Sequence, residues 1–280
     1  MACISNTSNY VAARDALAKD YDQILPNSMV GRAQQDSVWR ELDGCFAVGQ
    51  RVLEIDCSTG VDTTHLAERG VSVWACEGSS RMLEVARHRI DSSHLRAPVV
   101  LHRITAHEIA RLLGDRPFDG AFCNWGALNC VEDVAAVARS LATLLKPGAT
   151  VVLCMAGTLV GWEVIVCLRH MKLREAFHRL GRGPYYGRLV DDFFVPCWYP
   201  SVREISRVFR PSFRLLRWRG VGVAVPPVFL ERHAKRHPRA FNLLVKIDPL
   251  LGQAPLVRAL ADHLLLTFEK GTSLNPPTAD

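Results

Sequence analysis

Short apolar runs alternate, over the first half of this chain, with stretches in which apolar positions recur every three or four residues. The clearest run, Val52-Leu53-Glu54-Ile55, stops abruptly at small and polar residues, and a helical spacing begins at Thr63 with Leu66 and Ala67 on one face. That pattern predicts a buried strand, a tight turn closing at Gly60 and a helix start. The same unit repeats. Val71–Glu77 reads as a second strand, and Gly78–Arg87 as a helix whose Ser79 or Ser80 caps the first turn. Further strands are expected at Pro98–Ile104, Phe118–Asn124 and Thr150–Met155, with helices at Thr105–Leu113 and Val131–Leu145. The sequence Lys146-Pro147-Gly148 is a normal stop for the second of these. Two helices, Tyr10–Leu25 and Gln34–Phe46, precede the first strand. Strands alternating with helices predict an α/β fold with a parallel sheet.

The second half is less regular. Two basic helical stretches, Trp162–Leu180 and Ser201–Phe209, flank a Gly-, Pro- and aromatic-rich segment, Gly181–Pro200, that reads as a hairpin. Phe213–Val225 is expected as a strand, Pro226–Leu260 as more helix and His263–Phe268 as a last strand. Val151–Leu168 is apolar enough to be weighed as a membrane span. Gly157, Gly161 and Glu163 interrupt it, and a buried strand, a turn and an amphipathic helix explain it better. Peripheral membrane contact fits Arg169–Arg182, where apolar and basic residues mix.

The turn after the first strand carries the chemistry. It presents backbone N–H groups and the positive end of a helix dipole at the carboxyl edge of the sheet. Glu77 ends the next strand, at about the spacing where a βαβ unit offers a carboxylate to a ribose. V-L-E-I-D-C-S-T-G-V-D from Val52, with E-G-S-S-R-M-L-E-V-A-R from Glu77, resembles the class I S-adenosylmethionine-dependent methyltransferases. F-D-G-A-F-C-N-W-G-A-L-N from Phe118 and L-L-K-P-G-A-T-V-V-L from Leu144 extend the likeness. It covers about residues 10–155 and the last strand.

The resemblance implies a Rossmann-like sheet of seven strands, mostly parallel, with helices on both faces and an inserted helical and hairpin lid. It divides the chain into N-terminal helices covering the cofactor site (1–46), a cofactor-binding core (47–155), a lid (156–212), the remaining core with a helical insertion (213–270) and a loose tail (271–280). S-adenosylmethionine would lie along the carboxyl edge. Glu54, Asp56, Ser58 and Gly60 would line its methionine end, with Tyr21 of the Asp20-Tyr21-Asp22 element folded over. Glu77 would take the ribose hydroxyls, with Gly78 beside it and Met82 packed near the adenine. Thr105 and Ala106 would edge the base, and Asn124 and Trp125 would sit near the sulfonium. The chain departs from the family at Asp56 and Ser58, where glycine is usual. That leaves a second reading open, a degenerate cofactor-binding or scaffold protein. A nicotinamide-dependent oxidoreductase is disfavoured by the absence of G-x-G-x-x-G.

Composition fits an enzyme of this kind. In 280 residues, 49% are hydrophobic and 22% charged, which suits a sizeable core and confines looseness to Met1–Ser8 and Ser273–Asp280. The nine cysteines include no C-x-x-C, and no signal segment is evident, so a reduced, cytoplasmic setting is expected. Charge is uneven. Residues 161–240 hold 16 Lys/Arg against 6 Asp/Glu, an excess larger than the whole chain's +6. Such a lid suits a small acceptor, anionic or lipophilic. Nucleic acid is disfavoured, since no N-P-P-Y-type loop or RNA-binding module occurs. The resemblance implies methylation of an oxygen or nitrogen of the acceptor by in-line displacement, which needs alignment more than a base. If a base is used, His170, His178, Tyr185 and Tyr186 are the candidates. His233 and His237 stand four apart but lack a third ligand, so no metal is expected.

Overall fold

A computed structural model describes residues 6–113, 116–181, 183–190 and 193–272. Nine strands occur among them: β1 (Arg51–Ile55), β2 (Ser72–Cys76), β3 (Val99–His102), β4 (Phe118–Cys123), β5 (Leu145–Ala156), β6 (Tyr185–Val190), β7 (Phe193–Cys197), β8 (Phe213–Val221) and β9 (His263–Lys270). Seven of them form one sheet in the order β3-β2-β1-β4-β5-β9-β8, and β6 pairs with β7 as a separate hairpin. β1, β2, β3, β4 and β5 pair in parallel, while β9 runs antiparallel to both β5 and β8. The fold is therefore the expected Rossmann-like, mostly parallel seven-stranded sheet. Its strand order reverses between β1 and β4, which opens a ligand crevice at their carboxyl ends.

Both faces of the sheet are covered. Leu53, Ala121, Val151, Leu153 and Leu266 pack on one side in the larger core; Val52, Phe122, Val152, Cys154 and Leu265 pack on the other. Neighbouring strand residues thus enter opposite cores, as the two-residue period of a strand requires. The helices are α1 (Asn6–Leu17), α2 (Tyr21–Ile24), α3 (Met29–Cys45), α4 (Val61–Glu68), α5 (Ser80–Asp91), α6 (Val134–Leu144), α7 (Gly161–Arg169), α8 (Leu173–Ala176), α9 (Val202–Phe209), α10 (Glu231–Arg236) and α11 (Pro238–Leu251). α3 places Val38 and Leu42 in the smaller core, and α6 places Val137 and Leu141 in the larger one.

Several boundaries differ from the sequence reading. The first helix is broken at residues 18–20 into α1 and α2, so Tyr21 starts a new turn. Asn6–Ser8, expected to be loose, form the first turn of α1, while Met1–Ser5 and Ser273–Asp280 lie outside the described residues. Lys146-Pro147-Gly148 belongs to an extended β5 rather than a helix stop. Thr105–Leu113 is a 3-10 turn at Ala106–Leu112, not an α-helix. The basic stretch Trp162–Leu180 divides into α7, α8 and a 3-10 turn at His178–Leu180, with Met171 in a left-handed conformation at the break. No helix among the described residues is long and apolar enough to cross a membrane.

Candidate functional site

The crevice begins where β1 stops. Asp56, Ser58 and Gly60 have φ of 63°, 55° and 74°, three left-handed residues within five. Only Gly60 takes that conformation without a side-chain penalty; for the other two it costs roughly 1–2 kcal/mol each. The backbone therefore keeps a glycine-type turn although two glycines are missing. Bonds from the N-terminal helices offset the strain. Arg14 of α1 donates to Ser58 Oγ at 2.6 Å, and Ser58 Oγ donates to the Tyr21 hydroxyl at 3.2 Å. The Tyr10 hydroxyl donates to Asp56, and the Arg14 guanidinium lies 3.5 Å from Asp56 Oδ1.

Glu77 follows β2 and is 1% exposed. Its carboxylate accepts from Arg14 Nη2 at 2.7 Å, from Ser58 N at 3.0 Å and from Ser79 N at 2.8 Å. Burial pushes its pKa up to about 8, and Asp56 pushes the same way, against the pull of Arg14. Glu54 stands behind on β1, buried and bonded to the Thr63 hydroxyl, and burial with Asp62 nearby raises its pKa well above the carboxylate range. Asp56 and Glu77 thus share one buried cation, Arg14, with Glu54 behind them on β1.

A second network holds the far side. Asp62, in the first turn of α4, accepts from the Gln35 side chain, from Trp39 Nε1 at 2.6 Å and from Asn124 Nδ2 at 2.8 Å. Trp125, at φ 54°, donates its Nε1 to Gln35 Oε1 at 2.7 Å. These five side chains fix the loop after β4 against α3 and α4.

Two small spaces remain in the crevice. One, lined by Tyr21, Asp56, Ser58, Asp62, Asn124 and Trp125, holds about 10 Å³. The other, about 30 Å³, lies between Tyr10, Val11, Gly78, Thr105, Ala106 and Cys130. Each admits a water or two. α1 closes the crevice: a Cβ on Gly78 would meet Val11 at 3.0 Å and Thr105 at 2.8 Å.

The structure brings Tyr21, Asp56, Ser58, Asn124 and Trp125 to one space and Gly78, Thr105 and Ala106 to the other, with Asp56 shared. Gly60 closes the turn, and Glu77 sits just behind Arg14. Met82 and Glu54 line neither space. Met82 is buried against Ala18 and Tyr21. The Thr105 hydroxyl is engaged with Glu108 at 3.0 Å. His170, Tyr185 and Tyr186 are exposed and line neither space; His178 Nδ1 donates to Glu175 O at 2.7 Å, and its ring packs on Tyr185. Among the described residues, no group of three or more His, Cys, Asp or Glu side chains is placed to hold a metal ion. Sequence reasoning missed Arg14, Tyr10, Gln35, Trp39 and Asp62. One signal was present: Tyr10 and Arg14 are four apart, which puts a hydroxyl and a cation on one helix face.

A family described as "Methyltransferase domain" matches residues 52–148. The demethylmenaquinone methyltransferase of Mycobacterium sp. (strain KMS) is 32% identical over 217 residues, covering 74% of this chain and 86% of that protein. The demethylmenaquinone methyltransferase of Corynebacterium kroppenstedtii is 31% identical over 149 residues, and the chain spans only 58% of its length. Among solved structures, the CcbJ methyltransferase of Streptomyces caelestis superposes with a TM-score of 0.59 at 16% identity, covering 92% of this chain and 98% of that one. A putative S-adenosylmethionine-dependent methyltransferase from Listeria monocytogenes gives a TM-score of 0.57 at 14% identity, covering 83% of this chain and 96% of that one.

Proposed function

Because the chain belongs to the class I S-adenosylmethionine-dependent methyltransferases, we propose that it methylates a small lipophilic acceptor of the quinone type. The observation that carries the cofactor site is the buried carboxylate cluster around Arg14. Asp56 lines both spaces, Glu77 lies just behind Arg14, Glu54 stands on β1 beyond them, and the one guanidinium pairs with Asp56 and Glu77. S-adenosylmethionine supplies ammonium and sulfonium cations, vicinal ribose hydroxyls and an electrophilic methyl group. A cationic ligand suits an acidic cradle that otherwise recruits the chain's own arginine.

The residues divide the work as follows. Glu77, once released by Arg14, would accept from the ribose hydroxyls. The turn through Asp56, Ser58 and Gly60 would hold the methionine end, with Tyr21 above it and Glu54 supporting it from behind. Gly78, Thr105 and Ala106 would edge the adenine, with Met82 packed beneath. Asn124 and Trp125, locked by Asp62 and Gln35, would face the acceptor. Methyl transfer by in-line displacement is governed by alignment and exclusion of water. His170, Tyr185 and Tyr186 are exposed and line neither space of the crevice, so none of the three is assigned as a base.

The acceptor reading rests on the names of the relatives and on the aromatic content of residues 181–200. A quinone-type ring would take the methyl group on carbon, not on the oxygen or nitrogen that the sequence suggested. Incubation with the cofactor and a short-chain demethylmenaquinol analogue, with amine and catechol acceptors alongside, tests it. The expected result is S-adenosylhomocysteine release and a singly methylated product with the quinol only. Turnover confined to amines would overturn the acceptor assignment. The closure by Arg14 favours one second reading, a cofactor-binding protein without turnover; binding with no product from any acceptor would support it.

A further inference from the structure

Nine of the 17 large apolar side chains that stand exposed among the described residues lie between positions 165 and 194, about a tenth of the chain. Scattered exposed apolar residues are ordinary, whereas a concentration of this kind marks an interaction surface. It centres on the turn between α7 and α8. Ile165, Leu168, Met171, Leu173, Phe177 and Leu180 are 42–84% exposed, and α7 buries none of its nine residues. α7 is half-buried along one side, while Ile165 and Leu168 on it stand exposed beside the apolar turn that follows. Met171 stands at the tip: it is the most exposed of the six, and its φ of 58° holds it in a conformation that an L side chain rarely adopts.

Charge identifies the occupant. Arg169 and Arg174 are exposed within this apolar surface and have no carboxylate partner among the described residues. His170 is exposed beside them, and Lys172 shares its charge with Glu175 at 3.0 Å. A twofold self-contact across this turn would bring four unpaired arginines together, and the one carboxylate that each copy offers between residues 165 and 180, Glu175, is already engaged by Lys172. An anionic phospholipid surface meets both requirements at once: headgroups neutralise the arginines, and the acyl boundary receives the leucines and Met171. The surface is also continuous with the crevice. The His178 ring lies 4.2 Å from Tyr185 of β6, and the β6–β7 hairpin packs on α1, the helix that closes the cofactor cradle.

We propose that the α7–α8 turn is a membrane-docking face that seats this protein on anionic bilayers, with the cradle opening beside it. This inference stands on surface residues alone, so it holds or fails apart from the acceptor assignment.

Co-sedimentation of the full chain with vesicles tests it, using about three parts phosphatidylcholine to one part phosphatidylglycerol, against phosphatidylcholine alone. The expected result is binding to the anionic vesicles, weakened by salt. Arg169→Gln and Arg174→Gln should each lower the partition coefficient about fivefold, the equivalent of about 1 kcal/mol per surface charge. Met171→Asp with Leu173→Asp should reduce it tenfold or more, a rough bound from two buried apolar side chains. These positions are exposed, and unchanged thermal melting with unchanged S-adenosylmethionine binding would show that the variants remain folded. Absence of binding to anionic vesicles at low salt would overturn the proposal. So would equal binding to neutral vesicles, or a dimer in solution that the Met171→Asp, Leu173→Asp variant dissociates.

Discussion

Replacing Arg14 by glutamine should tighten cofactor binding while weakening the free protein. In the structure Arg14 is buried and bonds Ser58 Oγ at 2.6 Å and Glu77 at 2.7 Å, with Asp56 at 3.5 Å. Hydrogen bonds to charged groups contribute about 1.5–3 kcal/mol each. Two well-formed bonds therefore favour the closed crevice by about 3–6 kcal/mol before the desolvation of the ion pair is subtracted. Taking about 2–4 kcal/mol as the remainder, cofactor binding must first overcome a closed state favoured roughly 30- to 1000-fold. Glutamine is shorter than arginine, so it removes the charge together with the bonds to Ser58 and Glu77. Isothermal titration should then give a dissociation constant for S-adenosylmethionine at least about tenfold below that of the unaltered chain. Without its cation, the buried Glu77–Asp56 pair should cost the free protein about 3–5 kcal/mol, softened where Glu77 takes up a proton. At roughly 2–4 °C per kcal/mol, differential scanning calorimetry should show a melting temperature lower by about 6–20 °C. Weaker cofactor binding by Arg14→Gln would refute this reasoning, because it would make Arg14 a ligand of the cofactor instead of its competitor.

Other consequences are open to measurement. Because burial raises Glu77 from its ordinary value of 4.5 to about 8, the closed form binds a proton that the unfolded chain has released in that interval. Its stabilising contribution is complete below about pH 4.5 and is lost as pH rises through 8, so melting temperatures of the unaltered chain should fall relative to Glu77→Gln between pH 5 and 8.5. A parallel course of the two curves would show that Glu77 titrates normally. Asp62→Ala leaves the Gln35, Trp39 and Asn124 donors without an acceptor and should cost about 3 kcal/mol or more, read by urea unfolding; a change below about 1 kcal/mol would mean that water replaces it. Cys197 has its pKa lowered by the thiol of Cys130 at 3.6 Å and by Arg179, whereas burial raises Cys57, Cys123 and Cys154, the last to about 12. Timed alkylation followed by peptide mass spectrometry should label Cys197 before these three, and the reverse order would contradict the thiol assignment.

The sheet was legible because it depends on local pattern. Val52, Leu53 and Ile55 are forced inward on both faces, and the turn after them is written in small and polar residues. Parallel pairing followed from the alternation of strand and helix, and the seven-stranded, mostly parallel form of the sheet from the family resemblance. The turn's conformation was harder. Asp56 and Ser58 look like damage to a glycine loop when read alone, yet both hold left-handed backbone because Tyr10 and Arg14, more than 40 positions earlier, bond them. Side-chain pairs this distant leave no periodic trace. Asp62 was missed for the same reason, since its three donors come from α3 and from the loop after β4. The Thr105 hydroxyl was assigned to the base edge, and Glu108 three positions on, the partner of a capping box, was the overlooked sign. The breaks in Trp162–Leu180 escaped because the segment has no core to pack on, and periodicity alone says nothing about which helix faces remain bare.

The central claim is that Asp56, Ser58 and Glu77 form one cradle for S-adenosylmethionine, presently held shut by Arg14. Titrating the cofactor into the unaltered chain and into Glu77→Gln, with tryptophan fluorescence reporting on Trp125, addresses it most directly. Saturable one-to-one binding, displaced by S-adenosylhomocysteine and weakened about tenfold or more by the substitution, is the expected result. Equal affinity in both proteins, or no saturation with either, would contradict it.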